Sequence, residues 1–85
     1  MLLTVDVGNT NIMVGVFDEQ KVVVCWRLAT DWNSTEDELG ITIKSLLHNS
    51  GLSAEHISAV AISSVVPPLM YSLERMAQKY FAVKP

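Results

Sequence analysis

The chain has 85 residues, a formal net charge of −3 and a hydrophobic content of 49%, which predicts one small globular domain with a modest core. Its 6 basic residues are scattered along the sequence, so a nucleic-acid partner is not expected. No charged apolar leader opens the chain and no apolar run approaches the length of a membrane span, so no membrane partner is expected.

Three short apolar runs open the chain and predict β-strands. They cover residues 2–5, 12–17 and 22–28 and are separated by polar breaks, which favours an antiparallel meander. Within the second run, Gly15 is expected to mark a bulge or the close approach of another backbone. The only cysteine, Cys25, lies in the third run and is predicted to be a buried small hydrophobe. A single cysteine allows no internal disulfide, so we expect a cytoplasmic location.

The polar turn between the first two strands is the most informative stretch of the chain. Its sequence is Asp6-Val7-Gly8-Asn9-Thr10-Asn11. Gly8 and Asn9 tolerate the positive φ of tight turns, and such a reversal directs backbone N–H groups into a concavity that suits phosphate. Asp6 lies at its lip, where a carboxylate can hold hydrated Mg²⁺ against nucleotide phosphates. The alternative is an ordinary hairpin with solvated side chains. The cost of an unliganded carboxylate on an apolar strand favours the phosphate site.

A helix is predicted after a connector at residues 29–33. Residues 35–38 have the sequence Thr-Glu-Asp-Glu, which fits a capping box, and we interpret the acidic run as first-turn carboxylates at the helix dipole rather than as a metal cluster. Gly51 is expected to end this helix. His48 and His56 lack the spaced partners of a metal site, so we interpret them as surface or helix-end histidines. The predicted buried face of the helix comprises Leu39, Ile43, Leu46 and Leu47.

The unbroken apolar run at residues 59–62 predicts a fourth strand that is buried on both faces. The pair Ser63-Ser64 follows, and Pro67-Pro68 then opens a second helix. Its predicted buried face comprises Leu69, Leu73, Met76, Ala77 and Tyr80. The order β-β-β-α-β-α predicts an α/β fold with a mixed sheet, laid out as in an RNase H-like half domain. Ligands of such sheets collect beyond the strand ends, so we expect Ser63-Ser64 to lie beside the Asp6–Asn11 turn.

The turn motif near the initiator Met, together with Ser63-Ser64-Val65-Val66-Pro67 after a strand, resembles the type III pantothenate kinases. That family belongs to the superfamily of actin, Hsp70 and the sugar kinases, whose half domains are RNase H-like. The D-x-G-N-T part of the motif is widespread in the superfamily, whereas the S-S-V-V-P part is much narrower, and the match runs over the whole chain. The resemblance implies ATP-dependent phosphorylation of pantothenate to 4′-phosphopantothenate, the first step of coenzyme A biosynthesis.

The resemblance also implies roles for individual residues. Asp6 would work with Mg²⁺, and the turn would contact the ATP phosphates. The implied ATP-binding residues are Asp6, Val7, Gly8, Asn9, Thr10, Asn11, Ile12 and Met13. Ser63 and Ser64 resemble a second wall of the same cleft. A monovalent cation (K⁺ or NH₄⁺) and a homodimer are implied as well.

Members of that family are much longer, with a second half domain and a G-x-D-R element whose Asp is the general base. No G-x-D-R occurs in this sequence, and a carboxylate on Mg²⁺ is poorly placed to take a proton. We therefore expect residues 1–85 to be the N-terminal portion of the first domain, inactive alone, with the base beyond Pro85. The alternatives are a metabolite-sensing or transcription accessory factor of the same family, another phosphotransferase of the superfamily, or a fold that has lost its chemistry.

Overall fold

The computed structural model describes all residues, 1–85, and its elements follow the predicted order. The elements are β1 (Leu2–Val7), β2 (Asn11–Asp18), β3 (Lys21–Ala29), α1 (Glu36–Asn49), a 3₁₀ turn (Ala54–His56), β4 (Ala59–Ser64) and α2 (Pro67–Phe81). One sheet contains all four strands in the order β3-β2-β1-β4. β1 pairs antiparallel with β2 and parallel with β4, and β2 pairs antiparallel with β3. The predicted α/β class, mixed sheet and meander are confirmed.

Alternation of side chains along the central strands decides which face of the sheet is buried. Leu3, Val5 and Val7 on β1 point into the core, as do the residues that pair with them on β2. Both helices pack on this one face, and their apolar residues complete a single hydrophobic cluster. Neither helix is long and apolar enough to cross a membrane. The other face of the sheet, which we call the open face, carries no helix.

Two predictions about burial, one for β4 and one for Cys25, are wrong because this face of the sheet is uncovered. β4 is an edge strand in which buried Val60 alternates with exposed Ala59 and Ala61, so it is not buried on both faces. Cys25 is exposed rather than buried. The reason is the period of two: Cys25 pairs with Gly15 on the open face, whereas its neighbours along β3 turn towards the core.

Gly15 lies beside an irregularity of the sheet, as predicted. The register between β2 and β3 shifts at Val16/Phe17, which is a β-bulge one step beyond the glycine. The close neighbour of Gly15 is a side chain rather than another backbone. A Cβ at this position would lie 2.9 Å from Thr4 Oγ1 and 3.2 Å from the Phe17 ring.

The ends of α1 match the sequence signals. Thr35 Oγ1 accepts from the Glu38 N–H at 3.2 Å and the Glu38 carboxylate accepts from the Thr35 N–H at 3.1 Å, which completes the predicted capping box. At the other end, Gly51 has φ 78°, the left-handed conformation that ends a helix. His48 is exposed in the last turn of α1, and His56 Nδ1 accepts from Ser53 N–H at 3.0 Å at the 3₁₀ turn, so both histidines lie at helix ends.

Two of the predicted first-turn carboxylates also join α1 to α2. Glu36 Oε2 accepts from Arg75 Nε at 2.6 Å. Asp37 Oδ1 accepts from Lys79 Nζ at 2.7 Å and from Tyr80 Oη at 2.6 Å. We call these five residues the interhelix clamp. On α2 the predicted face is buried, except that Tyr80 is only partly buried and Phe81 is buried after it.

Candidate functional site

The turn between β1 and β2 is closed by one backbone hydrogen bond, from the Gly8 N–H to the Asn11 carbonyl at 2.9 Å. None of its residues has a positive φ. The predicted need for left-handed backbone at Gly8-Asn9 is therefore wrong, because a reversal spread over four residues is made with ordinary torsions. The glycine matters for space instead, since a Cβ on Gly8 would lie 3.3 Å from the Asn11 carbonyl oxygen.

Three consecutive carbonyl groups of the turn accept hydrogen bonds from the linker between β3 and α1. Thr30 donates through Oγ1 to the Gly8 carbonyl at 2.9 Å and through its N–H to the Thr10 carbonyl at 2.9 Å. The indole Nε1 of Trp32 donates to the Asn9 carbonyl at 3.3 Å. Sequence reasoning missed both residues, because this linker shows no periodicity and no known motif.

These hydrogen bonds determine where the N–H groups of the turn point. The C=O and N–H of a trans peptide face opposite ways, so the N–H groups of Asn9 and Thr10 point away from the linker. Neither group donates to an acceptor in the protein. Neighbouring main-chain N–H groups that point into the same space form an anion-binding site. The free N–H groups of Asn9 and Thr10 are the donors on which the predicted phosphate-binding role of this turn depends.

Asp6 lies one residue before the end of β1, because the strand continues through Val7. On the open face it is flanked by Met13 of β2 and Ser63 of β4. Its carboxylate is exposed and forms no hydrogen bond or ion pair within the protein. Mg²⁺ prefers oxygen ligands, keeps several waters and is usually held by one or two carboxylates together with substrate phosphates. The residues present fit such an ion.

Ser63 and Ser64 lie beside the turn, as predicted, because β1 and β4 are parallel and end together. Ser63 pairs with Asp6 and Ser64 with Val7, and the Val65 N–H donates to the Val7 carbonyl at 3.1 Å. The two hydroxyl groups have different surroundings. Ser63 shares the open face with Asp6, whereas Ser64 Oγ accepts from the Val66 N–H at 3.0 Å and shapes the entry to α2.

The other predicted site residues divide into a buried and an exposed group. Val7 and Ile12 are buried beneath the turn and anchor its two ends in the core. Thr10 and Asn11 are exposed at the turn, where Asn11 Nδ2 donates to Thr10 Oγ1 at 3.1 Å. Met13 is 43% exposed on the open face.

A hollow of about 310 Å³ lies beside Asp6 on the open face. Thr4, Met13, Phe17 and Cys25 contribute to its lining. The walls are mainly apolar, and the Asp6 carboxylate is the one charged group among them. The predicted metal-binding side chain therefore stands at the edge of open space rather than against other side chains.

Comparison with known proteins identifies the family of the chain. The family model for type III pantothenate kinase matches residues 2–85. A curated relative from Bacillus cytotoxicus, described as a type III pantothenate kinase, is 53% identical over 85 residues, which is 100% of this chain and 32% of the relative. This chain thus spans about one third of the length of that relative. Because the family model covers nearly every residue, the chain belongs to the type III pantothenate kinase family.

Proposed function

We propose that this chain supplies the ATP-phosphate side of a kinase that converts pantothenate to 4′-phosphopantothenate, the first step of coenzyme A biosynthesis. One observation carries the proposal. Two unpaired turn N–H groups and a free carboxylate lie at the same end of the sheet, in a chain of the type III pantothenate kinase family. Phosphoryl transfer depends mainly on positioning and on charge neutralisation, which are what such groups supply.

In this proposal each part of the turn has a separate task. The N–H groups of Asn9 and Thr10 donate to phosphate oxygens, and Gly8 keeps the turn compact. Asp6 would hold hydrated Mg²⁺, which would supply positive charge to offset that of the phosphates. Ser63 stands next to Asp6 and is suited to bond a water or a phosphate oxygen at the same place.

The remaining parts of the reaction are assigned to residues outside 1–85. They are the general base of a G-x-D-R element, the site for K⁺ or NH₄⁺, and the pantothenate site. We further propose that residues 1–85 begin an RNase H-like domain of a longer, cytoplasmic, homodimeric enzyme, and that they are inactive alone. The 32% coverage of the Bacillus cytotoxicus relative supports this division.

The first test is pantothenate-dependent ADP release by the full-length protein that carries this sequence. Asp6→Asn keeps the shape of the side chain but removes its charge, so we expect kcat to fall by at least about a hundredfold. Asp18→Asn is the matched control, because Asp18 is an exposed carboxylate at the end of another strand of the same sheet. We expect this control to retain wild-type kcat.

Two other outcomes are informative. If Asp6→Asn turns over like wild type, the kinase assignment stands but Asp6 has no metal role. If the wild type releases no ADP with ATP, Mg²⁺ and K⁺ present, the kinase proposal is wrong, and a sensing function or a fold without chemistry takes its place.

A further inference from the structure

We infer that Thr30 and Trp32 are positioning residues that hold the phosphate-binding turn so that its free N–H groups face the nucleotide. The role towards the nucleotide rests on the proposed function. That Thr30 and Trp32 restrain the turn, which we call the hold, rests on the hydrogen bonds that they donate to it. Neither residue faces the phosphate side, because both donate to carbonyl groups on the opposite side of the turn peptides.

The turn has little else to fix it. Its own backbone contributes a single hydrogen bond, between Gly8 and Asn11. Asn9 and Thr10 at its tip are exposed and bury no side chain in the core. The peptide planes on either side of Asn9 are instead fixed by the Thr30 hydroxyl and the Trp32 indole. Loss of either donor would free one of these planes to rotate.

Burial does not explain the position of Trp32. Its side chain is 51% exposed, and it lies outside the hydrophobic core. Its one polar atom is nevertheless bonded to the Asn9 carbonyl. The linker that carries it has its own internal structure, since Asp31 Oδ1 accepts from the Asn33 N–H at 2.9 Å and the Asp31 carbonyl accepts from the Ser34 N–H at 3.1 Å. The turn is thus hydrogen-bonded to a linker that has internal hydrogen bonds of its own and leads directly into α1.

Steady-state kinetics of the full-length protein test the role towards ATP. Thr30→Val keeps the shape but removes the hydroxyl, and loss of one such hydrogen bond predicts a KM for ATP raised about 3- to 10-fold. The KM for pantothenate should stay unchanged. Thr30→Ser retains the hydroxyl and should restore the wild-type value. Ser58→Ala is the control, because the Ser58 hydroxyl also donates to a main-chain carbonyl, that of Met1 at 3.3 Å, at the opposite end of the sheet from the turn.

A second measurement tests the hold without catalysis. Backbone ¹⁵N relaxation and amide exchange of Asn9 and Thr10 should show lower order in Thr30→Val and in Trp32→Phe than in wild type or Ser58→Ala. Trp32→Phe keeps an aromatic ring but loses the indole N–H together with the five-membered ring that carries it. Addition of Mg-ATP, or of inorganic phosphate alone, should shift these two amide signals less in the variants. Because these spectra need no turnover, an inactive wild type would refute the proposed function while the spectra still decide the hold.

Three results would overturn the inference. The first is unchanged order at Asn9 and Thr10 in both variants. The second is a Thr30→Ser protein as impaired as Thr30→Val, since bulk rather than the hydroxyl would then matter. The third is lower order at the turn with unaltered ATP affinity, which would show that Thr30 and Trp32 order the turn but do not affect ATP binding.

Discussion

Gly40 shows how closely the two helices approach. It is buried on α1 directly under the Tyr80 ring of α2, and a Cβ built at position 40 would overlap that ring. In an exposed helix, replacing glycine by alanine is favourable by about 1 kcal/mol. Here the ring cannot withdraw freely, because its hydroxyl is bonded to Asp37 at 2.6 Å.

We therefore predict that Gly40→Ala destabilises the protein by about 1–3 kcal/mol, the usual cost of overpacking. Urea unfolding monitored by circular dichroism measures this change. In a Tyr80→Ala background the obstacle is gone, and the same Gly40→Ala change should be neutral or stabilising. Equal stability of Gly40→Ala and wild type would show that the ring moves aside without cost.

The clamp between α1 and α2 makes their docking sensitive to pH. The hydrogen bond from Arg75 holds the pKa of the Glu36 carboxyl below its ordinary value. Lys79, and then Tyr80, lower the pKa of Asp37, and the bond to Asp37 raises the pKa of the Tyr80 phenol. The two carboxylates thus stabilise the fold above their ordinary pKa near 4 and lose this effect as the pH falls through their lowered values. The Tyr80 phenol stabilises the fold fully below its ordinary pKa near 10, and this stabilisation is lost as the pH rises through its raised pKa.

We predict that the free energy of unfolding of Asp37→Asn falls less than that of wild type as the pH becomes acid. At alkaline pH it should also fall less than that of wild type, by a smaller amount. Thermal unfolding across the pH range measures the acid and the alkaline parts of this profile. Glu74→Gln is the control, because Glu74 is exposed on α2 and has no bonded partner. The clamp residues are solvent-exposed to differing degrees, so the effect should be small and should shrink in 1 M NaCl. Identical pH profiles for wild type and Asp37→Asn would contradict this account.

The elements were predictable from sequence because their signals are local. The capping box at Thr35 and the glycine at position 51 each act within a few residues, and both are observed. The layering of the molecule was not predictable in the same way. Small apolar residues such as Ala59 and Ala61 are compatible with either a buried or an exposed face, and only the position of β4 at the sheet edge decides between them.

The candidate site shows the same division. The turn and Asp6 were predicted as a phosphate site because a carboxylate on an apolar strand is costly unless it is paired, liganded or solvated. Thr30 and Trp32 were missed because their donors meet carbonyl groups more than twenty residues earlier in the chain, and nothing local marks such a contact. The exposure of Cys25 was missed because an apolar run does not reveal which of its alternate residues face the core.

At the scale of the whole molecule, the open face is a broad surface in which the proposed metal side chain and Cys25 line the same hollow. We predict that Cys25 in the native 85-residue chain reacts with a thiol reagent at nearly the rate of the denatured chain, since its side chain is exposed. Stopped-flow labelling with and without denaturant measures the ratio, and Cys25→Ser gives the blank. Labelling much slower in the native chain would show that another copy covers this face.

The parallel pairing of β1 with β4 has a consequence for synthesis of the chain. Leu2 pairs with Ala59, whereas the meander, the turn and the linker that holds it all lie within residues 2–32. During translation the first three strands can fold before β4 leaves the ribosome, because local contacts form faster than distant ones. Until then β1 is an unpaired edge beside β2, open to pairing with other chains. We therefore expect the nascent protein to be most prone to aggregate after the turn between β1 and β2 has formed and before Ser63 arrives beside it.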